Sequence, residues 1–244
     1  MNEGLRRAIV ALAALATVLA TARLGLWQLD RAARKTELQQ SIDAASRMPA
    51  LDGGALARDA QTAQTQHHRA VHLRGRWAAA HTIFLDNRQM AGGRPGFFVV
   101  TPLVLSDGRA VVVQRGWVAR DLQERTRLPA LTTSESEVAL DGRIAPPPAR
   151  LYEFQAQDGG RIRQNLDLDS YARETGLALV PLSVLQTAPA APVDDTSLRR
   201  DWPMPESGVA KHHGYAFQWF GLSALVVILY VWFQLIQPRR RRAR

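Results

Sequence analysis

The sequence predicts a membrane α+β protein in which two terminal transmembrane helices flank a mainly antiparallel β domain. Three observations indicate this fold class. Uncharged apolar stretches lie near both ends of the 244-residue chain, at 8–22 and 214–236. Runs rich in β-branched and aromatic residues, separated by turns that contain glycine or proline, lie between residues 71 and 186. Most of the net positive charge lies in the terminal segments.

The composition limits the chemistry that this chain can perform. It has no cysteine, which excludes disulfides, thiolate metal sites and thiol catalysis, so any metal site must use His, Asp or Glu. The net charge is +9, yet residues 30–210 carry 22 Lys and Arg against 21 Asp and Glu. Because the positive excess is terminal, a nucleic-acid-binding face is not expected.

The first apolar stretch follows Arg6 and Arg7 and ends before Arg23. A basic head, a short apolar core and the small residues at 20–22 are typical of a cleavable signal peptide. If the Arg23 side chain instead reaches outward to the polar layer, the apolar face continues through Leu29. The stretch would then form a transmembrane helix over 8–29, with residues 1–7 in the cytoplasm. From the residues alone, both interpretations stay open.

Residues 30–210 are predicted to form the folded domain. Residues 30–48 have helical spacing without a breaker and would continue the first helix. A short helix capped by Asp167 or Asp169 is expected before the last strand, and a Pro-rich loop over 189–205 after it. The predicted strands are VHLRGRW, TIFLDNRQ, GFFVVTPLVL, AVVVQRGWV, VALDGRI, YEFQAQ, RIRQNL and LVPLSVLQ.

The second apolar stretch, 214–236, has no charged residue. Its 23 residues, at about 1.5 Å each, would cover the roughly 30 Å hydrocarbon core of a bilayer. The following segment, 237–244, contains five arginines, and such segments typically stay in the cytoplasm. The sequence therefore predicts a transmembrane helix over 214–236 and a cytoplasmic Arg-rich tail over 237–244.

Motifs of enzymes are mostly absent: the chain has no phosphate-binding loop, dinucleotide fingerprint, zincin helix or nucleophile elbow. His67, His68 and His72 lie close together in the sequence, but without further ligands they are more typical of a solvated loop than of a metal site. Arg115 could lie over an aromatic ring or beside an anion. A structural role for its strand, with Trp117 in the core, is the simpler interpretation.

The stretch KHHGYAFQWF, residues 211–220, is the best candidate for chemistry. On a helix, His212, Tyr215 and Trp219 share one face, and His213 lies about 100° further round. Neutral imidazole is a good axial ligand for haem iron, and aromatic and small side chains on the same stripe could accommodate a macrocycle. Alternatively, both histidines could lie in the lipid headgroup layer beside Lys211 as interface residues.

Five motifs occur in an order that closely resembles the surfeit-locus protein 1 family of cytochrome c oxidase assembly factors. They are LGLWQLDR followed by Lys35, LDNR, PGFFVVTPLVL, VVVQRGWV and HHGYAFQWF. The resemblance spans nearly the whole chain. It implies that the first span is retained, that both termini are cytoplasmic and that the central domain is periplasmic. The absence of a presequence before the first span favours the inner membrane of a bacterium over a mitochondrion.

The resemblance also implies a function, that of a cofactor chaperone rather than an enzyme. The family is thought to supply haem a to subunit I of cytochrome c oxidase, which makes that subunit, haem a synthase and membrane lipid the expected partners. The histidine before the Tyr-Ala-x-x-Trp run is the implied axial ligand and corresponds to His212, with Tyr215 and Trp219 as pocket or interface residues. Trp27 and Gln28 also match the family pattern and are assigned to folding and helix contacts. This chain has Lys211, His212 and His213 where Asn-His-Leu is common, so His213 is a second candidate ligand.

Two other functions fit the sequence less fully. A scaffold without a cofactor could stabilise subunit I or recruit other assembly factors through the β domain and the Pro-rich loop. A membrane-anchored hydrolase would need a nucleophile and a base, and the sequence offers no such pair.

Overall fold

The computed structural model describes residues 2–90, 93–121, 123–124, 126–152, 160–202 and 208–237. The chain divides into two compact units, one made of Met1–Ser41 with Pro205–Arg244 and the other of Ile42–Met204. We call the first the helical unit and the second the barrel domain, and each is described by itself. Segment 238–244 of the predicted Arg-rich tail lies outside the described residues.

The part of the helical unit that the structure describes forms two long helices. Helix α1 spans Glu3–Ser46 without a break, so the predicted span over 8–29 and most of the polar helix predicted over 30–48 form one continuous helix. Near the C-terminus, α4 spans Val209–Tyr230 and continues as a π-helix over Val231–Ile236. Both helices contain an 18-residue window with a mean hydropathy of 2.0, long and apolar enough to cross a membrane.

The two long helices pack along a seam with heptad spacing. The less exposed residues of α1 include those at 11, 14, 18, 21, 25, 28, 32 and 35, and those of α4 include 212, 216, 219, 223, 226 and 230. The hydroxyl groups of Thr21 and Ser223 lie 2.5 Å apart across the seam. A Cβ atom on Gly25 would lie 2.8 Å from the Phe220 ring, so the two helices approach closely there. Small residues allow this close packing.

The described residues of the barrel domain form eight strands and two short α-helices. Its sheet is mainly antiparallel, as predicted, but the pairs β1–β2, β3–β7 and β5–β8 are parallel. The strands are β1 Leu51–Asp52, β2 Ala70–Trp77, β3 Ile83–Gln89, β4 Pro95–Leu105, β5 Arg109–Ala119, β6 Val138–Ala145, β7 Ile162–Arg163 and β8 Ala178–Gln186. Helix α2 spans Ala60–Gln66, α3 spans Leu168–Thr175, and a 3-10 helix spans Ala79–His81.

Five strands close into a barrel. β2 pairs with β4, β4 with β5, β5 with β8, β8 with β6, and β6 returns to β2. This Greek-key connectivity is of the OB-fold type. Closure depends on β4, because one edge of this strand pairs with β3 at residues 95–100 and with β2 at residues 103–105.

Apolar residues fill the barrel and also cover part of its outer face. In β2, buried and exposed residues alternate, as expected for a strand with one face inside. In β5, residues 110–117 are all buried because the outer face is also covered. Val111 and Val113 belong to the interior cluster, whereas Val112 packs in a second cluster with Tyr171 of α3.

The predicted elements of this domain are largely confirmed. The six longer strands match β2–β6 and β8, and the predicted helix begins after Asp167, which accepts a hydrogen bond from the Ser170 backbone as its N-cap. RIRQNL contributes only the two-residue β7, and residues 153–157 of YEFQAQ lie outside the described residues. Helix α2 was not predicted because AQTAQTQ shows no apolar periodicity. Membrane insertion and the domain boundaries stay predictions.

Candidate functional site

The structure distinguishes the two adjacent histidines at the start of α4. His212 lies on the seam and is half-buried, whereas His213 is one position further round and is exposed. The difference follows from the helical period, since 212, 216 and 219 share the stripe that faces α1. His212 is therefore held between two helices, and His213 faces outward.

His212 has a hydrogen-bonding partner on the other helix. Its Nδ1 lies 2.7 Å from Oε1 of Gln28, a half-buried residue of α1. An amide oxygen can only accept, so Nδ1 carries the proton and donates it. The lone pair of the neutral imidazole then belongs to Nε2, which has no hydrogen bond within the described part of the chain. One imidazole nitrogen is thus fixed and the other is available to bind a ligand.

The other predicted site residues lie on both sides of this seam. Trp219 is half-buried, two turns along α4 from His212, and Ala216 between them is only 2% exposed. Tyr215 is 51% exposed and lies on the flank of the stripe. The structure therefore brings His212 and Trp219 together on the seam, while Tyr215 and His213 border it on outward faces.

A positive charge lies at the same end of the helical unit. Lys35 is half-buried at a seam position two turns beyond Gln28, and a Cβ atom on Gly208 would lie 3.3 Å from its Nζ. The Lys35 ammonium group therefore lies beside the first residues of α4. A group with acidic substituents would be favoured at this end of the helix pair.

The three histidines near the start of the barrel domain do not form a metal site. His72 forms a hydrogen bond through Nδ1 with Asp141 on an exposed surface, at 2.5 Å. The His67 and His68 rings lie edge to face, 6.3 Å apart. Among the described residues, no three side chains of His, Cys, Asp or Glu are grouped so that they could hold a metal ion.

Arg115 belongs to a buried ion cluster in the barrel domain. Its guanidinium lies 4.8 Å from the centre of the Trp77 ring and donates to Oδ1 of Asp194 at 2.6 Å. The other Asp194 oxygen accepts from Gln186 and from Arg200, each at 2.6 Å. We call Arg115, Gln186, Asp194 and Arg200 the Asp194 cluster. It attaches the Pro-rich return segment to the barrel, so the role of Arg115 is structural, as the simpler interpretation held.

The expected role of Gln28 in helix contacts is confirmed, since its side chain bonds to the other helix. What the sequence analysis missed is its partner, His212. The heptad spacing of small residues at 21, 25 and 32 indicates that position 28 lies on the same stripe, where a polar side chain between two apolar helices needs a partner.

Known proteins are similar to this chain over nearly its full length. The model of the SURF1 family matches residues 15–224, a segment that includes both Gln28 and His212. A SURF1-like protein of Rickettsia bellii is 25% identical over 225 residues, which cover 90% of this chain and 88% of that protein. SURF1-like proteins of Rickettsia felis and Rickettsia prowazekii are each 24% identical, covering 85% and 89% of this chain and 89% and 86% of those proteins.

Proposed function

Because the chain belongs to the SURF1 family, a family associated with oxidase assembly, we propose that it is a non-catalytic chaperone that binds haem a and delivers it to subunit I of cytochrome c oxidase. The observation that supports this proposal best is the His212 imidazole, whose Nδ1 is held by Gln28 while Nε2 is available to bind a ligand. Haem a synthase would be the donor of the cofactor.

The residues at this end of the helix pair fit a haem. His212 offers one neutral nitrogen ligand, and Trp219 and Tyr215 offer aromatic surface on and beside the same stripe. Lys35 lies where it could pair with a propionate of the macrocycle. When bound, haem a supplies an iron centre that takes an axial imidazole. A single protein ligand on a partly exposed site allows release, which a chaperone requires.

We place the haem site near the outer surface of the bacterial inner membrane. In this topology α1 and α4 cross the bilayer, both termini are cytoplasmic and the barrel domain is periplasmic. The arginines at 239–242 and 244, together with Arg6 and Arg7, support it because such residues concentrate on the cytoplasmic side. His212 and Gln28 each lie near the end of an apolar stretch that is farther from these arginines. In this topology, that end is close to the periplasmic lipid headgroups.

The proposal is tested by loading the protein with haem a in cells. The full chain is coexpressed with enzymes that synthesise haem a, purified in mild detergent and examined by visible absorption beside the variants His212→Ala and His213→Ala. We expect haem bands in the wild type and in His213→Ala, and their loss in His212→Ala. If the haem bands are lost in His213→Ala alone, the iron ligand is His213 instead of His212. Unchanged haem content and oxidase assembly in His212→Ala would refute the ligand role.

A cofactor-free scaffold is the second candidate, and one feature of the barrel domain favours it. A cavity of about 470 Å³ lies beside α2 and α3 and is lined in part by the prolines at 146–148. A concave surface of this size could receive a segment of subunit I. The scaffold would copurify with oxidase subunits but stay colourless even when haem a is available, which separates it from the chaperone.

A further inference from the structure

Gln28 is an unusual residue for its position in the helix pair. Its neighbours along the seam of α1 are Thr21, Gly25 and Ala32, which are buried and small. Small residues let the helices approach, whereas a glutamine of this length must direct its amide to a partner. That partner is Nδ1 of His212, at 2.7 Å.

The register of the two helices gives Gln28 and His212 the space they need. The helices are antiparallel, with Thr21 beside Ser223 and Gly25 beside Phe220. The same register places Gln28 opposite Ala216 and His212 opposite Ala32. These two alanines are 2% and 1% exposed. Each long polar side chain therefore faces an alanine methyl group on the other helix. The hydrogen bond between Gln28 and His212 runs diagonally across the seam, because the two residues are offset by about one helical turn.

We propose that Gln28 is a positioning residue that holds His212 in the tautomer with the proton on Nδ1 and the lone pair on Nε2. A metal-binding histidine commonly donates its other ring N–H to an acceptor, which fixes the tautomer and the orientation of the ring. Gln28 does the same here from the opposite helix. Recognition of iron by His212 thus depends on the pairing of both helices. This role rests on the proposed function, since it concerns the same imidazole.

Two substitutions at position 28 separate the hydrogen bond from packing. Gln28→Glu keeps the length of the side chain and retains an oxygen acceptor, whereas Gln28→Leu keeps an apolar side chain of similar bulk and removes the acceptor. Gln218→Leu is the matched control, because Gln218 lies on an exposed face of α4. Both substitutions at position 28 keep the bulk of the side chain, so a residue that acted only through packing would leave both variants with the wild-type tautomer. If Gln28 acts through its oxygen, only Gln28→Glu should keep that tautomer.

The tautomer can be measured without any haem. The full chain, labelled with ¹⁵N at histidine, is studied by two-bond ¹⁵N–¹H correlation in detergent at about pH 8.5, roughly two units above the ordinary imidazole pKa, with His212→Ala assigning the signal. We expect the Nδ1–H form at His212 in the wild type, Gln28→Glu and Gln218→Leu, and a mixture of forms in Gln28→Leu. A dominant Nε2–H form in the wild type, or a wild-type spectrum in Gln28→Leu, would overturn the proposal.

Haem binding supplies a second readout. We expect Gln28→Leu to weaken haem binding by about 10- to 100-fold and Gln218→Leu to leave it unchanged. Gln28→Glu should retain binding but lower the reduction potential of the iron, because a carboxylate acceptor makes the imidazole a stronger donor. Equal potentials and affinities in all variants would contradict the positioning role. If the wild type shows the expected tautomer but binds no haem, the proposed function fails while the role of Gln28 in the apoprotein stands.

Discussion

Of the polar contacts that join residues far apart in the sequence, those of Asp194 and of His212 are completed to different degrees. In the barrel domain, both carboxylate oxygens of Asp194 accept hydrogen bonds, from Arg115 on one side and from Gln186 and Arg200 on the other. In the helical unit, His212 has one hydrogen bond, from Nδ1 to Gln28. A carboxylate with both oxygens occupied has little capacity left for a ligand, whereas an imidazole with a free nitrogen retains it. The difference is consistent with a structural role for the Asp194 cluster and with the ligand role proposed for His212.

The largest expected effect comes from breaking the Asp194 cluster. Asp194→Asn leaves Arg115, whose side chain is 0% exposed, buried without its counter-charge. We expect the free energy of unfolding of the barrel domain to fall by about 3–5 kcal/mol, measured by chemical denaturation of the full chain in detergent and followed by tryptophan fluorescence. Asp201→Asn is the control, since its ion pair with Arg199 is nearly half exposed and is worth about 1 kcal/mol or less. Equal losses in the two variants would contradict a structural role for the cluster.

The same cluster predicts how stability depends on pH. Burial alone would raise the pKa of Asp194, but hydrogen bonds from the Ala190 backbone and from Arg115, together with the positive charge of Arg115, hold this pKa below its ordinary value of 3.8. The folded-state pKa is therefore the lower one. The Asp194 carboxylate therefore contributes to the free energy of unfolding above its unfolded-state pKa, and this contribution is lost as the pH falls through its folded-state pKa.

Denaturation between pH 7 and pH 2 tests this dependence. We expect a smaller loss of stability below about pH 4 in Asp194→Asn than in the wild type. Burial would raise the pKa of Asp195, but this pKa is also lowered, by hydrogen bonds from Ser197 and from the Thr132 backbone. Asp195 will therefore leave part of the pH dependence of the free energy of unfolding in both proteins. Identical slopes would show that Asp194 is not ionised within the cluster.

The two regions also differ in how far they could be predicted from the sequence. Hydropathy and the period of two residues were enough for the terminal helices and six strands, because each of these signals is local. The barrel closure was not predictable, since it depends on β4 pairing with β2 and β3 along one edge. The partners Arg115 and Asp194 lie 79 positions apart, and Gln28 and His212 lie 184 apart. Local spacing carries no information on such contacts, although it did place His212 and Trp219 on one face of α4.

A smaller effect is expected from widening the helix seam at Gly25. A side chain there must displace the Phe220 ring, which lies 2.8 Å from the position of a Cβ atom. We expect Gly25→Val to weaken the pairing of the helices by about 1–2 kcal/mol and to reduce haem content, because Gln28 lies one turn further along. Gly221→Val is the matched control, since nothing lies within 4 Å of its Cβ position. Haem content that is insensitive to Gly25→Val would place the haem away from the seam.

Rescue by a second substitution sharpens this test. Phe220→Ala removes the ring that the valine side chain meets. If Gly25→Val weakens helix pairing and haem content through this contact, the double variant Gly25→Val/Phe220→Ala should recover most of both. A double-mutant cycle measures the coupling between the two substitutions. Additive losses would instead indicate that Phe220 itself contacts the haem.

The smallest effect is expected at the hydrogen bond between Thr21 and Ser223. Their hydroxyl groups lie 2.5 Å apart, but Thr21 can also donate to the Thr17 carbonyl at 2.8 Å. Because the lost partner is replaced within the same helix, a cycle of Thr21→Val and Ser223→Ala should give a coupling of only about 0.6 kcal/mol, measured by unfolding of the helical unit in mixed detergent. A much larger coupling would mean that this bond, and not the small residues of the seam, sets the register on which the contact between Gln28 and His212 depends.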